Sequence, residues 1–211
     1  LPPSGVYLMA LFSKFKKSYK DLSEEIKSSW KVKPDDVLYD TKLGDLIRIF
    51  SFLLKGKFNE VNKNIEMLLL INDPYEILNK KSENGKKLFE AAEKVKKQYL
   101  NLLKKALDEV KKSKSRVIDF AYISDNVSFT SELANELTHR NPGKIIAVAR
   151  IKDEQMRISL RSSVNDIELP RVLEKIFTEM KGSGGGHEHA VAVEIHSEDY
   201  KNFIKLLRKY V

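Results

Sequence analysis

The sequence predicts a mixed α+β or α/β fold, with an N-terminal helical segment, a long connecting helix and a small mixed β-sheet domain covered by helices. Up to residue 112, apolar residues recur at steps of three and four, as they do in amphipathic helices. After residue 115, apolar runs of strand length alternate with helical segments. We therefore expect three parts: a helical domain over residues 1–83, a linker helix over 84–114 and an α/β domain over 115–211.

The composition excludes several classes of protein. Apolar residues make up 42% of the chain and charged residues 32%, which is typical of a globular protein. No run of about 18 apolar residues is present, so we expect neither a transmembrane helix nor a membrane partner. The absence of cysteine excludes disulfides, thiolate metal sites and cysteine nucleophiles, and it agrees with a cytoplasmic, reducing location.

The formal charge of +8 is distributed unevenly. Residues 1–114 hold 24 Lys and Arg against 16 Asp and Glu, whereas residues 115–211 hold 14 against 14. Such asymmetry suggests contact with nucleic acid, an acidic partner or a membrane surface. A solvated lysine-rich surface explains the asymmetry equally well, so the charge does not identify a partner by itself.

Helices account for the first 112 residues. Residues 6–30 carry one apolar stripe with lysines beside it, which predicts a basic amphipathic helix that packs on other helices or on a partner. A densely apolar helix over 43–55 ends at Gly56, and another helix follows over 58–71. Asp73 caps a short helix that begins with proline. Over residues 84–112, apolar residues recur at steps of four and three and so form one narrow stripe. This stripe predicts one helix on the order of 40 Å long, at about 1.5 Å per residue.

The α/β domain is predicted to follow the order β-α-β-β-α-β-α. Its second strand is a nearly continuous apolar run of the kind that is buried on both faces. In its third strand, Arg157, Ser159 and Arg161 alternate with Met156 and other apolar residues that face the opposite way. The predicted elements are a strand over 116–124, a helix from a Thr130 or Ser131 cap to His139, strands over 144–151 and 156–162, a helix over 170–181, a strand over 190–196 and a helix from a Ser197 cap to Tyr210.

A glycine-rich stretch lies between the last two of the predicted strands. Four of the nine glycines of the chain fall within residues 182–186, and His187 and His189 follow directly. Glycine permits close approach of a ligand, and successive peptide N–H groups in such a loop can form an anion-binding concavity. The pattern therefore predicts a phosphate-binding loop, with a plain helix-to-strand turn as the alternative. A metal site is disfavoured because cysteine is absent and Glu188 would face away from the two histidines.

Two motifs separated by a helix resemble a known family. They are Arg-Ile-Ser-Leu-Arg-Ser at residues 157–162 and Gly-Gly-Gly-His-Glu-His-Ala at 184–190. Their arrangement resembles the DHH-associated domain, the C-terminal nucleic-acid-binding or nucleotide-binding domain of RecJ-like exonucleases and related phosphodiesterases. The resemblance spans residues 115–211. It implies that a polar, arginine-bearing strand and the Gly-Gly-His segment meet around a phosphate of the substrate strand.

Carried onto this chain, the resemblance implies one phosphate-binding set: Arg157, Ser159, Arg161, Ser162, Gly184, Gly185, Gly186 and His187. The planar fork of arginine matches phosphate with two hydrogen bonds. Salt bridges on an exposed sheet face are the alternative role for the two arginines. Ala192 stands where the family usually carries glycine, and its methyl group would narrow the site. His139 and His196 are expected to be structural.

The catalytic lobe of that family is not recognisable in this sequence. In the family this lobe binds two divalent metals through clustered Asp and His, whereas the sequence contains neither Asp-His-His nor Asp-x-Asp. We therefore expect no catalytic residues, no metal and no cofactor. A RecJ-like chain of this kind resembles the non-catalytic archaeal RecJ homologues, which are counterparts of cell division cycle protein 45.

This resemblance implies a nucleoid-associated DNA replication factor of the CMG helicase type. It implies binding to the GINS complex, support of the MCM helicase and contact with single-stranded DNA. Two alternatives remain open: a truncated or divergent DHH-family phosphodiesterase with 5′-to-3′ single-strand exonuclease activity, and an autonomous single-strand binder. The small number of aromatic residues suited to stack on bases disfavours the second alternative.

Overall fold

The computed structural model describes residues 38–39, 41–124 and 126–211. The helix predicted over 6–30 and the segment before it lie outside the described residues. The chain divides into two compact units, and the division falls between Gln98 and Tyr99.

The described part of the first unit is helical, as the apolar spacing predicts. Thr41 caps the helix over Lys42–Leu53, since its hydroxyl accepts a hydrogen bond from the backbone N–H of Gly44 at 3.1 Å. Asp73 caps the short helix over Pro74–Leu78 in the predicted way, accepting from the backbone N–H of Tyr75 at 2.8 Å. None of the described helices is both long enough and apolar enough to cross a bilayer. From residue 41 onward, the helices that begin in this unit are α1 (Lys42–Leu53), α2 (Phe58–Leu70), α3 (Pro74–Leu78) and α4 (Glu83–Lys112).

The second unit, Tyr99–Val211, contains a five-stranded mixed sheet with the strand order β1-β2-β3-β5-β4. Strands β1 and β2 are parallel, and the other neighbouring pairs are antiparallel. The elements are β1 (Val117–Ile123), α5 (Thr130–Arg140), β2 (Ile145–Lys152), β3 (Gln155–Ser162), α6 (Leu169–Glu179), β4 (Ser183–His187), β5 (Ala190–His196), a 3-10 turn (Ser197–Asp199) and α7 (Tyr200–Tyr210).

This order confirms the predicted fold class and adds one strand. The glycine run, predicted as a loop, forms the edge strand β4, which pairs with β5 across a tight turn at Glu188 and His189. Glycine is depleted in strands because it has no side chain to pack, so the run carries no strand signal of its own. The strand is specified by its pairing with the apolar strand β5.

The sheet buries a different set of side chains on each face. One face packs on α6 and α7, and its core includes Ile158 and Leu160 of β3 together with Phe203 of α7. The other face is partly covered by α5, whose Leu133 and Leu137 are fully buried. The period of two along β3 therefore separates the two faces, and its odd-numbered residues lie on the face of α5.

A buried carboxylate joins α4 to α5 within the second unit. Glu136 is 1% exposed, and its Oε2 atom accepts a hydrogen bond from the Tyr99 hydroxyl at 2.5 Å. Its Oε1 atom accepts from Nε and Nη2 of Arg140 at 2.9 and 2.6 Å. Burial of a carboxylate is tolerated here because both of its oxygens have donors.

We expect Tyr99→Phe to lower the stability of the second unit by about 1–3 kcal/mol, because it removes a donor from a buried charged acceptor. Tyr210→Phe is the matched control, since Tyr210 donates to the exposed carboxylate of Glu179. Thermal and urea unfolding followed by circular dichroism measure both variants. Equal losses in the two variants would contradict the role assigned to the buried network.

Candidate phosphate-binding groove

The α5 face of the sheet brings together most of the predicted phosphate-binding residues. On β3, Arg157, Ser159 and Arg161 lie on this face, each opposite a residue of β5. The β5 residues in turn lie opposite residues of the edge strand β4. The three resulting rows are Arg157–Glu194–Ser183, Ser159–Ala192–Gly185 and Arg161–Ala190–His187.

A cavity of about 390 Å³ opens over this face, between the N-terminal end of α5 and strands β3, β5 and β4. We call it the α5 groove. Hydroxyl groups are the most frequent polar groups of its lining, and they suit an oxyanion because each can donate a hydrogen bond. The polar and charged lining residues are Ser128, Thr130, Ser131, Arg157, Ser159, Ser183 and Glu194, and Gly184 and Ala192 lie among them.

The N-terminus of α5 opens into the groove. The residue at the N-cap is Phe129, which makes no side-chain capping bond, so the prediction of a Thr130 or Ser131 cap is wrong. The Thr130 hydroxyl lies 2.7 Å from that of Ser128, and the Ser131 hydroxyl lies 3.2 Å from that of Ser159. A helix N-terminus presents first-turn N–H groups and a partial positive charge, and both favour an anion.

The two arginines of β3 have different environments. Nε of Arg157 donates to Glu194 at 3.0 Å, with 73% of the arginine side chain exposed. Surface pairs of this kind contribute little, so a phosphate can compete for this guanidinium. Arg161 is partly buried and donates to Oδ1 of Asn135 at 2.7 Å and to the carbonyl of Leu160 at 2.8 Å. Burial lowers the pKa of Arg161 from its usual value.

Ser162 does not join this set. It is buried on the opposite face of β3, where its hydroxyl accepts from the backbone N–H of Val164 at 3.1 Å. Its even position on the strand explains this, because neighbouring side chains of a strand point to opposite faces. Ser162 is therefore a structural residue.

The glycines contribute an extended strand in place of the predicted concavity. Successive N–H groups of an extended strand point to alternate sides, so those of Gly184, Gly185 and Gly186 do not converge on one anion. His187 is exposed at the end of β4, in the row of Arg161. A Cβ atom at Gly185 would meet nothing within 4 Å, so the face of the sheet is open opposite Ala192, whose methyl group lines the groove.

The hydroxyl residues at the start of α5 are absent from the predicted set. Ser128, Thr130 and Ser131 precede or begin a helix, and hydroxyl residues of this kind signal a helix start in the sequence. The contact of the Ser131 hydroxyl with Ser159 depends on the packing of α5 on β3, which the local sequence does not encode.

Within the described residues, no group of three or more His, Asp or Glu side chains is placed to hold a metal ion.

The profile of the DHHA1 domain family matches residues 124–211. This match confirms the resemblance of the C-terminal part of the chain to the DHH-associated domain, and it contains every residue of the α5 groove. No curated protein matches the chain.

Solved structures share the fold at low sequence identity. RecJ from Thermus thermophilus in complex with Mn²⁺ is 13% identical, with a TM-score of 0.54 over 80% of this chain and 23% of its own. The pGpG-specific phosphodiesterase PggH from Vibrio cholerae is 17% identical, with a TM-score of 0.52 over 92% of this chain and 67% of its own. CDC45 from Entamoeba histolytica is 16% identical over 97% of this chain and 49% of its own, with a TM-score of 0.43. The chain spans less than a quarter of the RecJ chain.

The three glycines of β4 are expected to differ in their tolerance of a side chain. A Cβ atom at Gly184 would lie 2.6 Å from the carbonyl oxygen of Ala192, and one at Gly186 would lie 2.3 Å from that of Ala190. Gly184→Ala and Gly186→Ala should therefore lower stability by about 1–3 kcal/mol. Gly185→Ala should change it by less than about 0.5 kcal/mol. Urea unfolding measures all three, and a similar loss in Gly185→Ala would contradict the assignment of β4 as a paired strand.

Proposed function

We propose that the chain is a non-catalytic, RecJ-like DNA replication factor, an archaeal counterpart of cell division cycle protein 45, which holds the backbone of single-stranded DNA in the α5 groove. In this proposal it joins the GINS complex and supports the MCM helicase. The observation that carries the DNA contact is the α5 groove itself, where a helix N-terminus, a set of hydroxyls and an exchangeable arginine face one cavity.

The groove offers one phosphate group a complete set of donors. The first-turn N–H groups of α5 and the Ser131 hydroxyl would contact it from the helix, and the Ser159 hydroxyl would contact it from the sheet. Arg157 would exchange its exposed bond to Glu194 for a charge-assisted bond to the phosphate. The small side chain of Ala192 lines the groove, and Gly185, opposite it in the register, has open space where a side chain would lie, which leaves room for the backbone of a strand to pass.

The comparisons favour a nucleic-acid backbone over a free anion. RecJ is an exonuclease and PggH is a pGpG-specific phosphodiesterase, so both act on nucleotides linked by phosphodiester bonds. Their likeness to this chain is one of fold, and the DHHA1 match covers the whole groove.

The replication role rests on the sequence resemblance. The sequence contains no Asp-His-His and no Asp-x-Asp motif, which supports a protein that binds without cutting. The excess of lysine in residues 1–114 supports electrostatic contact with DNA or with an acidic partner protein. The GINS and MCM partners follow from the likeness to the non-catalytic archaeal RecJ homologues.

Gly185→Val tests the groove from its edge, because Gly185 lies opposite the lining residue Ala192 and a side chain there would enter open space in the path of a bound strand. We expect it to weaken binding of a fluorescein-labelled oligodeoxythymidylate at least about tenfold, the scale of one lost charged contact set. Fluorescence anisotropy gives the affinity. Ala121→Val, at an exposed position of β1, adds similar bulk away from the groove and should bind as the wild type does. Unchanged binding by Gly185→Val would refute the groove as the DNA site.

Purification of the native protein tests the assembly. We expect the tagged product of the intact gene to retain GINS subunits and to release no nucleotides from single-stranded DNA in Mg²⁺ or Mn²⁺. Hydrolysis in either metal, or an upstream Asp-His-His motif in the intact gene, would instead identify a DHH-family phosphodiesterase. Recovery of only unrelated proteins would contradict the GINS partnership.

A further inference from the structure

Two arginines face each other on the α5 face, at the end of the sheet beyond the groove. Arg150 of β2 lies directly opposite Arg157 of β3 in the antiparallel register. Like charges in directly opposed positions are destabilising. Glu194 neutralises Arg157 from the other side, and no corresponding carboxylate pairs with Arg150 within the described residues.

Arg150 is short of hydrogen-bond partners. Its Nε atom is buried and makes no hydrogen bond to any described residue. Its other cross-strand neighbour is Tyr122 of β1, whose hydroxyl accepts from the backbone N–H of Phe129 at 2.8 Å and lies 3.4 Å from the hydroxyl of Thr130. A buried guanidinium nitrogen without a partner lowers the local stability, and an acceptor bound beside it would remove that cost.

A second cavity of about 210 Å³ lies at this arginine pair. Its lining holds three cationic side chains and one carboxylate, so its net charge is positive. The lining residues are Arg150, Lys152, Asp153, Gln155 and Arg157. Arg157 lines both this cavity and the α5 groove, so the two sites adjoin.

The spacing of the two cavities suits consecutive phosphates. Arg157 and Ser159 are two residues apart on β3, which corresponds to about 6.8 Å along a strand. This is of the order of the separation between neighbouring phosphates in an extended single strand. A phosphate in the second cavity would supply the missing acceptor to Arg150 and relieve its repulsion from Arg157.

The geometry points to a second phosphate subsite formed by Arg150, Lys152 and Arg157, which binds the next phosphodiester of a single strand held in the α5 groove. The inference rests on the proposed function of the groove. The chain thus distinguishes an oligonucleotide, which spans both subsites, from a mononucleotide, which occupies one. Arg157 stands between the two phosphates and can contact either.

The test compares two probes, a fluorescein-labelled oligodeoxythymidylate and thymidine 5′-monophosphate as its competitor, over a range of salt concentrations. Arg150→Gln should weaken oligonucleotide binding about threefold to tenfold and reduce the magnitude of the log–log salt slope by about 0.7, the contribution of one phosphate on a single strand. Arg150→Lys retains the charge and should retain the slope. Arg171→Gln, at an exposed arginine of α6, is the control and should change neither quantity.

Competition by the monophosphate should be the same in Arg150→Gln as in the wild type, because the groove is intact. The melting temperature of Arg150→Gln should be equal to or above that of the wild type, because a repulsive pair has been removed. If the melting temperature of Arg150→Gln falls, Lys152→Gln replaces it as the test variant. Lys152 is exposed, and its replacement by Gln should also reduce the salt slope.

A wild-type affinity and slope in Arg150→Gln, together with loss of binding in Gly185→Val, would overturn the second subsite and leave the groove standing. For Lys152→Gln, a wild-type slope would have the same meaning. Failure of the wild type to bind the oligonucleotide would overturn both the subsite and the groove.

Discussion

The register of β3 determines which side chains at the centre of the sheet face α5 and which face α6 and α7. This strand lies at the centre of the sheet, and its hydrogen bonds to β2 and β5 fix which side chains share a face. Ile158 and Leu160 enter the core, and Arg157, Ser159 and Arg161 therefore lie under or beside α5. A slip of one residue would bury the arginines and expose the core residues, so packing energy enforces the geometry of the groove.

Much of this arrangement could be predicted from local sequence. The change from helical to strand periodicity near residue 115 gives the order of elements, and the alternation in β3 gives the shared face of Arg157, Ser159 and Arg161. The same alternation places Ser162 on the other face of the sheet. The motif alone includes Ser162 in the phosphate-binding set, whereas the alternation of side chains along the strand excludes it. The helix predicted to run to residue 55 and end at Gly56 instead ends at Leu53, and Gly56 lies two residues beyond its C-cap, Leu54, with a positive φ of 133°.

The remainder depends on contacts between segments distant in the chain. Glycines 184–186 form a strand only because β5 pairs with them, and nothing in three consecutive glycines encodes that pairing. The Ser131 hydroxyl at the start of α5 reaches Ser159 because buried leucines pack the helix on the sheet. The opposition of Arg150 and Arg157 depends on the β2–β3 register, which is set by a two-residue turn whose residues, Asp153 and Glu154, both have positive φ. Local propensity describes none of these three features.

The edge strand β4 also bears on the behaviour of the protein at high concentration. An exposed strand edge is a template onto which another chain can add and so begin aggregation, and natural proteins usually block such edges with charge or proline. Here the rim of the sheet has three glycines in a row, which provide no side chains for an added strand to interlock with and make any added pairing entropically unfavourable. The absence of side chains at these glycines keeps the sheet accessible to a ligand, and it also makes the edge of the sheet a poor template for self-association.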